Sequence, residues 1–502
     1  MKPPNLNRRL TTLDAAFLYL EKKEAPLHIG SVSVFDGDLS HEDFTRHIAE
    51  RLHLVPRFAQ KVTPDPFNFS HPTWEQAEDF AISKHIFARE LPAPGGDAEL
   101  AQLAGELWST MLDRDKPLWE LYVVRGLEGG RSAMISKIHH CMVDGISGVD
   151  LVKIIFDISP VATPVPPPPQ ATPPPPKPDP TRAFFDSVIG SLQEGLNRWT
   201  EMQNGLMQLT QAFANPQTLA VLPHLSGVLP AVLAPPNMLP FNGPCSGQRT
   251  FAWSEFPFQE ARAIRGALNG TVNDVVLTTL SGAVARYAQS HGQETAGRAV
   301  RFMVPVSLRQ AEQRGALGNL ISILPVEIPL DIPDPLARFK YVNHKTGVMK
   351  MARLAEGLGL VGALYGMLPA PLQAVIGQLA TTPVPPYNMV ATNVPGPQVP
   401  LYVLGHKMTA QYPHVPIGYA LGLGCAIFSY DQKLYFGLTA DAQAMPDVTQ
   451  FKKLLDESFA ELRERAGIGA PASKTEVKAK AKPKSRKAVK SVTPAVAGGF
   501  GR

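Results

Sequence analysis

The sequence predicts a mixed α/β protein built from two halves, and three observations support this fold class. The chain has 502 residues, which is too long for one ordinary hydrophobic core. A proline-rich stretch at residues 160–180 divides it. Residues 131–138 have the composition of a strand, and residues 146–156 carry apolar side chains at helical spacing. A strand followed directly by a helix predicts mixed α/β structure in the first half.

The proline-rich stretch contains two runs of four prolines, at residues 166–169 and 173–176. Such runs favour an extended polyproline conformation, so we predict a linker over residues 160–180 that belongs to neither core. Polyproline can also be a ligand for proline-binding domains, but a spacer is the commoner role.

The linker sets the remaining boundaries. The N-terminal half spans residues 1–159, and the C-terminal half spans residues 247–468. A connecting segment at residues 181–246 opens with a predicted helix at residues 181–214 and continues with an apolar stretch broken by prolines. The apolar residues of this helix recur at three- and four-residue steps: Phe184, Phe185, Val188, Ile189, Leu192, Leu196 and Trp199.

A basic tail occupies residues 469–502. From residue 473 onward it has seven lysines and two arginines against one glutamate, so the tail carries +8 and the rest of the chain −4. Its few large apolar residues cannot offset the entropy of ordering, which predicts disorder. The tail can be a solubilising extension, an attachment to anionic lipid headgroups, or a nonspecific contact with nucleic acid. No specific nucleic-acid partner is expected.

The chain lacks a convincing membrane-spanning segment. Residues 357–380 are uncharged, but glycines and prolines interrupt them before about 20 apolar residues accumulate. They fit either core packing or an apolar helix pair beside a lipid channel or membrane interface. The N-terminus has no apolar signal sequence, and three scattered cysteines provide no disulfide framework, so we expect a cytoplasmic protein.

The most informative residues form the pattern HHxxxDG, with His139 and His140 followed by Asp144 and Gly145. They lie on the turn between the predicted strand and helix, where a scaffold can present a side chain to a substrate. The unperturbed pKa of histidine suits general-base catalysis near neutral pH. A metal site would need further His or Asp partners at ligand spacing, and adjacent histidines are awkward ligands for one ion, so no metal is expected.

Together with six further segments, the HHxxxDG pattern resembles the bacterial wax ester synthase/diacylglycerol acyltransferase family. That family belongs to the CoA-dependent acyltransferases, which include chloramphenicol acetyltransferase and peptide condensation domains. The resemblance covers about residues 8–466. Its further segments are residues 13–21 (LDAAFLYLE), 117–119 (PLW), 273–274 (ND), 304–309 (VPVSLR), 318–319 (GN) and 392–397 (TNVPGP).

The resemblance implies two chloramphenicol-acetyltransferase-like halves, each a mixed sheet with helices, and an active site at their interface. It implies that His140 is the general base and His139 a supporting residue. Asp144 is expected to pair with Arg309 of the other half and fix the turn, although a His–Asp dyad is the alternative. Gly145 is expected to permit a backbone shape that a Cβ would obstruct. Residues 392–397 are expected to form a turn at the domain interface.

Five other residues receive predicted roles. The Asn273 amide is a candidate donor to the oxyanion of the tetrahedral intermediate, but asparagine is also a favoured N-cap for the helix that follows. Asp274 is expected to give structural support to Asn273. Pro117, Leu118 and Trp119 are expected to shape a substrate channel by packing.

These residues predict an O-acyltransferase that moves a long-chain acyl group from acyl-CoA to diacylglycerol or a long-chain fatty alcohol. The products are triacylglycerol or wax ester, and acyl-CoA is a substrate, so no cofactor is expected. We expect peripheral attachment to the inner face of the cell membrane and to lipid droplets; the oligomeric state stays open. The alternatives are a non-catalytic lipid-droplet coat protein and a condensation-type acyltransferase with a different acceptor.

Overall fold

The computed structural model describes most of both predicted halves. The described residues are 9–65, 70–142, 154–167, 234–307, 321–351 and 386–469, together with Leu372 and isolated residues of a helix between 181 and 207. The predicted site residues Asp144, Gly145 and Arg309 lie outside the described residues, as do most of the linker and the basic tail.

Strands are the main elements of the described chain. They are β1 (His28–Phe35), β2 (Gln60–Thr63), β3 (Thr73–Gln76), β4 (Ile86–Glu90), β5 (Trp119–Leu127), β6 (Arg131–His139), β7 (Arg249–Pro257), β8 (Ala299–Ser307), β9 (Ile321–Pro329), β10 (Met389–Pro395), β11 (Tyr402–Val403), β12 (His406–His414), β13 (Leu423–Tyr430) and β14 (Lys433–Asp441).

The helices with continuous description pack around these strands. They are α1 (Thr12–Leu20), α2 (His41–Arg51), α3 (Asp97–Trp108), α4 (Phe258–Ala267), α5 (Val272–Ser290), α6 (Pro335–Met351) and α7 (Val448–Arg465). None of the helices in the described residues is both long enough and apolar enough to cross a bilayer.

The N-terminal sheet has six strands in the order β11-β12-β1-β6-β5-β4. Only β4 and β5 pair in parallel; the other neighbours are antiparallel. Strand β6, predicted at residues 131–138, extends to His139 and is buried along almost its whole length. Burial on both faces agrees with the apolar residues at its centre, Ala133, Met134 and Ile135, although Ser132, Ser136 and Lys137 are buried as well. The central position of β6 places the histidines at the end of a rigid strand.

The C-terminal sheet also has six strands, in the order β7-β14-β13-β10-β8-β9. Strand β10 pairs in parallel with both β13 and β8, and the other pairs are antiparallel. Helix α5 is buried at almost every position from Asp274 to Ala288. A helix that is buried on nearly all sides belongs inside a core; α5 packs against α4, α6 and α7, and its apolar side chains share one buried cluster with those of the C-terminal strands. Two mixed sheets with helices match the predicted fold class.

The chain crosses between the two sheets. Strands β11 and β12, at residues 402–414, belong to the C-terminal half in sequence but extend the N-terminal sheet, where β12 pairs antiparallel with β1. Linear boundaries therefore do not describe the sheets completely, because strand pairing depends on contacts distant in sequence. Residues 392–395 also differ from the predicted turn: they lie in β10, whose parallel pairing with β13 continues to Pro395.

Helix α3 and strand β7 make a close contact between the two halves. A Cβ on Gly105 would come within 2.4 Å of the Arg249 carbonyl oxygen, so glycine is required for this approach. The Ser109 hydroxyl also accepts a hydrogen bond from the Arg249 N–H at 2.8 Å. The Arg249 guanidinium then donates to the Glu24 carbonyl oxygen of the N-terminal half and to Asp441 of the C-terminal half.

Candidate active site

The histidine pair lies where strand β6 ends. The His139 N–H donates to the Leu118 carbonyl oxygen and the His140 N–H to the Leu27 carbonyl oxygen, both at 2.9 Å. Residues His140–Met142 then form one turn of 3₁₀ helix. Successive backbone amides are thus bonded to opposite neighbours, which fixes where each histidine side chain leaves the backbone.

The His140 ring is half-buried and stacks on Phe17 of α1, with ring centroids 3.8 Å apart and planes 16° from parallel. Its Nδ1 atom is buried and has no hydrogen-bond partner among the described residues. Nε2 is therefore the ring nitrogen left to face a substrate. The stack holds the ring plane without occupying either nitrogen.

The pKa of His140 is lowered to about 4. Burial of the ring is the main cause, since it disfavours the charged form; the residue's own backbone carbonyl opposes the shift, and the charge of His139 adds to it. The imidazole is consequently neutral at neutral pH. A neutral imidazole with an accessible nitrogen can accept a proton from a substrate hydroxyl.

His139 is fully buried and faces a different environment. Its Nδ1 accepts a hydrogen bond from the Cys141 N–H at 3.2 Å, and its Nε2 lies 3.4 Å from Oε1 of Glu21. The two histidine rings therefore have separate surroundings, as expected for successive residues at a strand end. The predicted supporting role of His139 agrees with this placement and stays a prediction.

Glu21 is a site residue that the sequence did not single out. Burial alone would raise its carboxyl pKa, but the nearby His139, the Leu27 N–H and Arg114 together lower that pKa to about 2. Arg114 donates to Oε2 at 2.9 Å, and the Leu27 N–H donates to Oε1 at 3.0 Å. The available signal was an acidic residue at the end of the 13–21 segment, but its contact with His139 spans more than one hundred residues.

Cys141 follows His140 directly and could be suspected as a nucleophile. Its side chain is 1% exposed, and burial raises the pKa of the thiol well above its usual value. A thiol that stays protonated is a poor nucleophile, so the burial of Cys141 disfavours a nucleophilic role. Within the described part of the chain, no group of three or more His, Cys, Asp or Glu side chains is placed to hold a metal ion.

Pro117, Leu118 and Trp119 lie at the start of β5, beside the histidine pair. The Trp119 ring is 0% exposed, donates from Nε1 to the Phe58 carbonyl oxygen at 2.8 Å, and stacks on His85. Leu118 is 1% exposed. Protein atoms surround both side chains, and their predicted role of shaping a substrate channel by packing stays a prediction. Their contribution to the site is structural, since the Leu118 carbonyl holds the His139 N–H.

Asn273 is not the N-cap of α5. The cap is Thr271, whose side chain accepts from the Asp274 N–H, while the Asp274 carboxylate accepts in return from the Thr271 N–H at 2.8 Å. This capping box is favoured over a cap at Asn273 because it satisfies two helix-end donors at once. The pattern T-x-x-D at residues 271–274 was the signal that sequence reasoning missed.

Asp274 and Asn273 differ in their surroundings. The buried Asp274 carboxylate also accepts from Asn343 at 3.1 Å and from Thr346 at 2.8 Å, both on α6, which agrees with its predicted structural role. The half-buried Asn273 side chain has no hydrogen bond among the described residues, and no hydrogen bond there links it with His140. Its amide remains available to a ligand.

The segment between α1 and β1 lies against the C-terminal half. The Tyr419 hydroxyl donates to the Leu20 carbonyl oxygen, and a Cβ on Gly418 would come within 2.3 Å of the Ala25 side chain. The backbone that holds His140 therefore borders the junction between the halves.

Two family models match this chain. The model for the wax ester synthase/diacylglycerol acyltransferase catalytic domain matches residues 10–276, and the model for the C-terminal domain of the same family matches residues 317–463.

Curated relatives and solved structures agree with these models. The chain is 29% identical over 457 residues to a probable diacylglycerol O-acyltransferase, tgs1, of Mycobacterium tuberculosis, covering 90% of this chain and 95% of that protein. It is 30% identical over 464 residues to tgs2 of the same species, another probable diacylglycerol O-acyltransferase, covering 91% and 98%.

The fold is similar to a wax ester synthase/diacylglycerol acyltransferase from Marinobacter aquaeolei VT8. The TM-score is 0.62 at 23% identity, with 92% of this chain and 100% of that chain covered. A condensation domain of the calcium-dependent antibiotic synthetase gives a TM-score of 0.52 at 13% identity, covering 92% and 96%.

Proposed function

Because the chain belongs to the wax ester synthase/diacylglycerol acyltransferase family and is an acyltransferase, we propose a specific reaction with His140 as the general base. A long-chain acyl group moves from acyl-CoA to the hydroxyl of diacylglycerol or of a long-chain fatty alcohol. The observation that carries the role of His140 is its neutral ring, stacked on Phe17 with one nitrogen left for a substrate.

The reaction needs one base and no covalent enzyme intermediate. Nε2 of His140 takes the hydroxyl proton as the acceptor oxygen attacks the thioester carbonyl carbon. The new C–O bond gives a tetrahedral oxyanion, whose collapse breaks the C–S bond. The CoA thiolate then takes the proton from the imidazolium, which restores the neutral histidine. Acyl-CoA is a substrate in this scheme, and no separate cofactor takes part.

The oxyanion requires a donor aimed at the place where negative charge develops. We assign this role to the Asn273 amide, which lies in the first turn of α5 and has no other partner among the described residues. The positive end of the helix dipole lies at the same terminus and favours negative charge.

The acceptor lipids imply that the protein works at a lipid surface. In the helix between residues 181 and 207, six of the described apolar side chains recur at helical spacing and are at least half exposed: Phe185, Ile189, Leu192, Leu196, Trp199 and Met207. An exposed apolar stripe on a helix fits a membrane interface. We place the protein at the inner face of the cell membrane and on lipid droplets, with the basic tail adding attraction to anionic headgroups.

A flotation assay tests this attachment. Full-length protein should float with vesicles of neutral and anionic phospholipid, and truncation after residue 469 should weaken binding to the anionic vesicles alone. Replacing Leu192 and Leu196 with glutamine should weaken binding to both. Full recovery in the unbound fraction with either vesicle would contradict the attachment.

An acyl-transfer assay tests the reaction. Purified protein receives labelled palmitoyl-CoA with hexadecanol and diacylglycerol in parallel, and ester and released CoA are measured. We expect ester from at least one acceptor, and the ratio of wax ester to triacylglycerol then defines the preference. A folded protein that makes neither ester and still binds lipid would instead support a coat role.

A further inference from the structure

Glu21 is connected to the backbone on the N-terminal side of His140. Its Oε1 atom accepts the Leu27 N–H at 3.0 Å, and the Leu27 carbonyl oxygen accepts the His140 N–H at 2.9 Å. One residue thus links the carboxylate to the peptide group that begins His140.

A second route reaches the peptide group that follows His140. The Cys141 N–H donates to Nδ1 of His139, and Nε2 of the same ring faces Oε1 of Glu21 at 3.4 Å. Because Nδ1 accepts a hydrogen bond, a neutral His139 must carry its proton on Nε2. The carboxylate stabilises that arrangement, since it faces the nitrogen that carries the proton.

The carboxylate is itself held in place. Its side chain is 1% exposed, and Oε2 accepts from Arg114 at 2.9 Å. The Glu21 N–H donates to the carbonyl oxygen of Phe17, whose ring stacks on His140. One residue therefore joins the ring contact and both backbone contacts of the proposed base.

We propose that Glu21 is a positioning residue for His140, which fixes the amides on both sides of it through Leu27 and through the tautomer of His139. The role rests on the proposed function, because it serves the base of that reaction. Glu21 touches His139, Leu27 and Arg114, so it acts on the reaction through His140. A misplaced base costs turnover more than substrate binding.

The kinetic test uses Glu21→Gln, which keeps the shape of the side chain and one acceptor oxygen but removes the charge. We expect kcat to fall about tenfold and the KM for palmitoyl-CoA to stay within about twofold, whereas Glu21→Ala should lower kcat about a hundredfold. The control is Glu260→Gln, which removes the carboxylate of another largely buried pair, with Arg463 at 3.1 Å, on α4. It should leave kcat unchanged.

A spectroscopic test does not depend on activity. Nitrogen NMR of ¹⁵N-histidine-labelled wild-type protein, with the His139 signals assigned from a His139→Gln variant, should show the Nε2–H tautomer for His139. In Glu21→Gln the Nδ1–H tautomer should become detectable.

The outcomes separate the two proposals. Unchanged kcat in Glu21→Gln, an equal change in KM, or an Nδ1–H tautomer in the wild type would overturn the positioning role. If Glu21→Gln does not fold, the wild-type tautomer alone decides. If the wild type makes no ester, the proposed function fails, while the tautomer still supports or overturns the contact between Glu21 and His139.

Discussion

The histidine turn after β6 and the carboxylate of Asp441 are both buried, yet their hydrogen bonding differs sharply. Asp441 is 0% exposed and accepts from Ser246, Gly247 and Arg249, among others. His140 has a buried Nδ1 with no partner among the described residues. A buried polar group without a partner costs free energy, so it persists where function requires it. The saturated carboxylate of Asp441 holds the halves together, whereas the His140 ring is held by its stack on Phe17 and keeps Nε2 for a substrate.

The largest expected effect is on turnover. His140→Ala removes the base and should lower kcat by about 10²–10⁴-fold. Because Nδ1 has no hydrogen bond to lose, the free energy of unfolding should change by no more than about 1–2 kcal/mol, mainly from the lost stack on Phe17. Parallel kinetics and thermal denaturation check both values. Near-normal turnover in the variant would remove His140 from the mechanism.

Asp441→Asn should have the opposite effect, with a large loss of stability. It leaves the Arg249 guanidinium, whose side chain is 1% exposed, without its counterion, so we expect a loss of about 3–5 kcal/mol in the free energy of unfolding. Chemical denaturation measures this loss. The control is Asp38→Asn, whose pair with Arg125 is about half exposed, and about 0–1 kcal/mol is expected there. Equal effects in the two variants would contradict the structural role of Asp441.

Substitution of Asn273, like that of His140, should lower kcat and leave stability nearly unchanged. If its amide stabilises the oxyanion, Asn273→Ala lowers kcat by about 10²–10³-fold and leaves the melting temperature nearly unchanged. Steady-state kinetics with saturating acyl-CoA provide the measurement. A kcat equal to that of the wild type would assign the oxyanion to another donor.

Substitution of its neighbour Asp274, like that of Asp441, should lower the free energy of unfolding, but by a smaller amount. Asp274→Ala removes the capping box and the hydrogen bonds from Asn343 and Thr346, so a loss of about 2 kcal/mol in stability is expected. Turnover per folded molecule should change by no more than a few-fold. A loss of kcat without a loss of stability would contradict the structural role and indicate that Asp274 takes part in the reaction.

The smallest expected effect is the pH response. The pKa of His140 lies below its ordinary value, at about 4, so the ring stays neutral as pH falls from 8 to about 5.5. Protonation through pH 4 then removes the base, so kcat/KM should be flat near neutrality and decrease only near pH 4. A decrease centred near pH 6.5, with the fold intact by circular dichroism, would contradict the burial of this ring.

Local patterns predicted much of this molecule. The strand at residues 131–138 was predicted from its composition, with apolar residues at positions 133–135 and 138, and the structure has a strand there followed by a turn at His140–Met142. The sequence left Asn273 open as either the N-cap of α5 or an oxyanion donor, and the reciprocal bonds between Thr271 and Asp274 show that the cap is Thr271. That pattern is local and could have been recognised.

The parts of the fold and site that the sequence did not predict depend on contacts between residues far apart in the chain. Residues 402–414 join the N-terminal sheet through pairing with β1, some 380 residues earlier in the chain. Glu21 lies beside His139 in the folded chain, where β1 and β6 are paired. The HHxxxDG pattern located the base, but the residues that hold it became visible only in the folded chain.

The central claim is that the acyl group passes from CoA to the acceptor without a covalent enzyme intermediate and with His140 as the base. A rapid-quench experiment with labelled palmitoyl-CoA, first without and then with hexadecanol or diacylglycerol, tests it most directly. We expect no label on the denatured wild-type protein in the absence of acceptor. With acceptor, ester should form in the wild type, and His140→Ala should form it about 10²–10⁴-fold more slowly. Label that stays covalently bound to the protein and passes to the acceptor, or ester formed equally well without His140, would contradict the account.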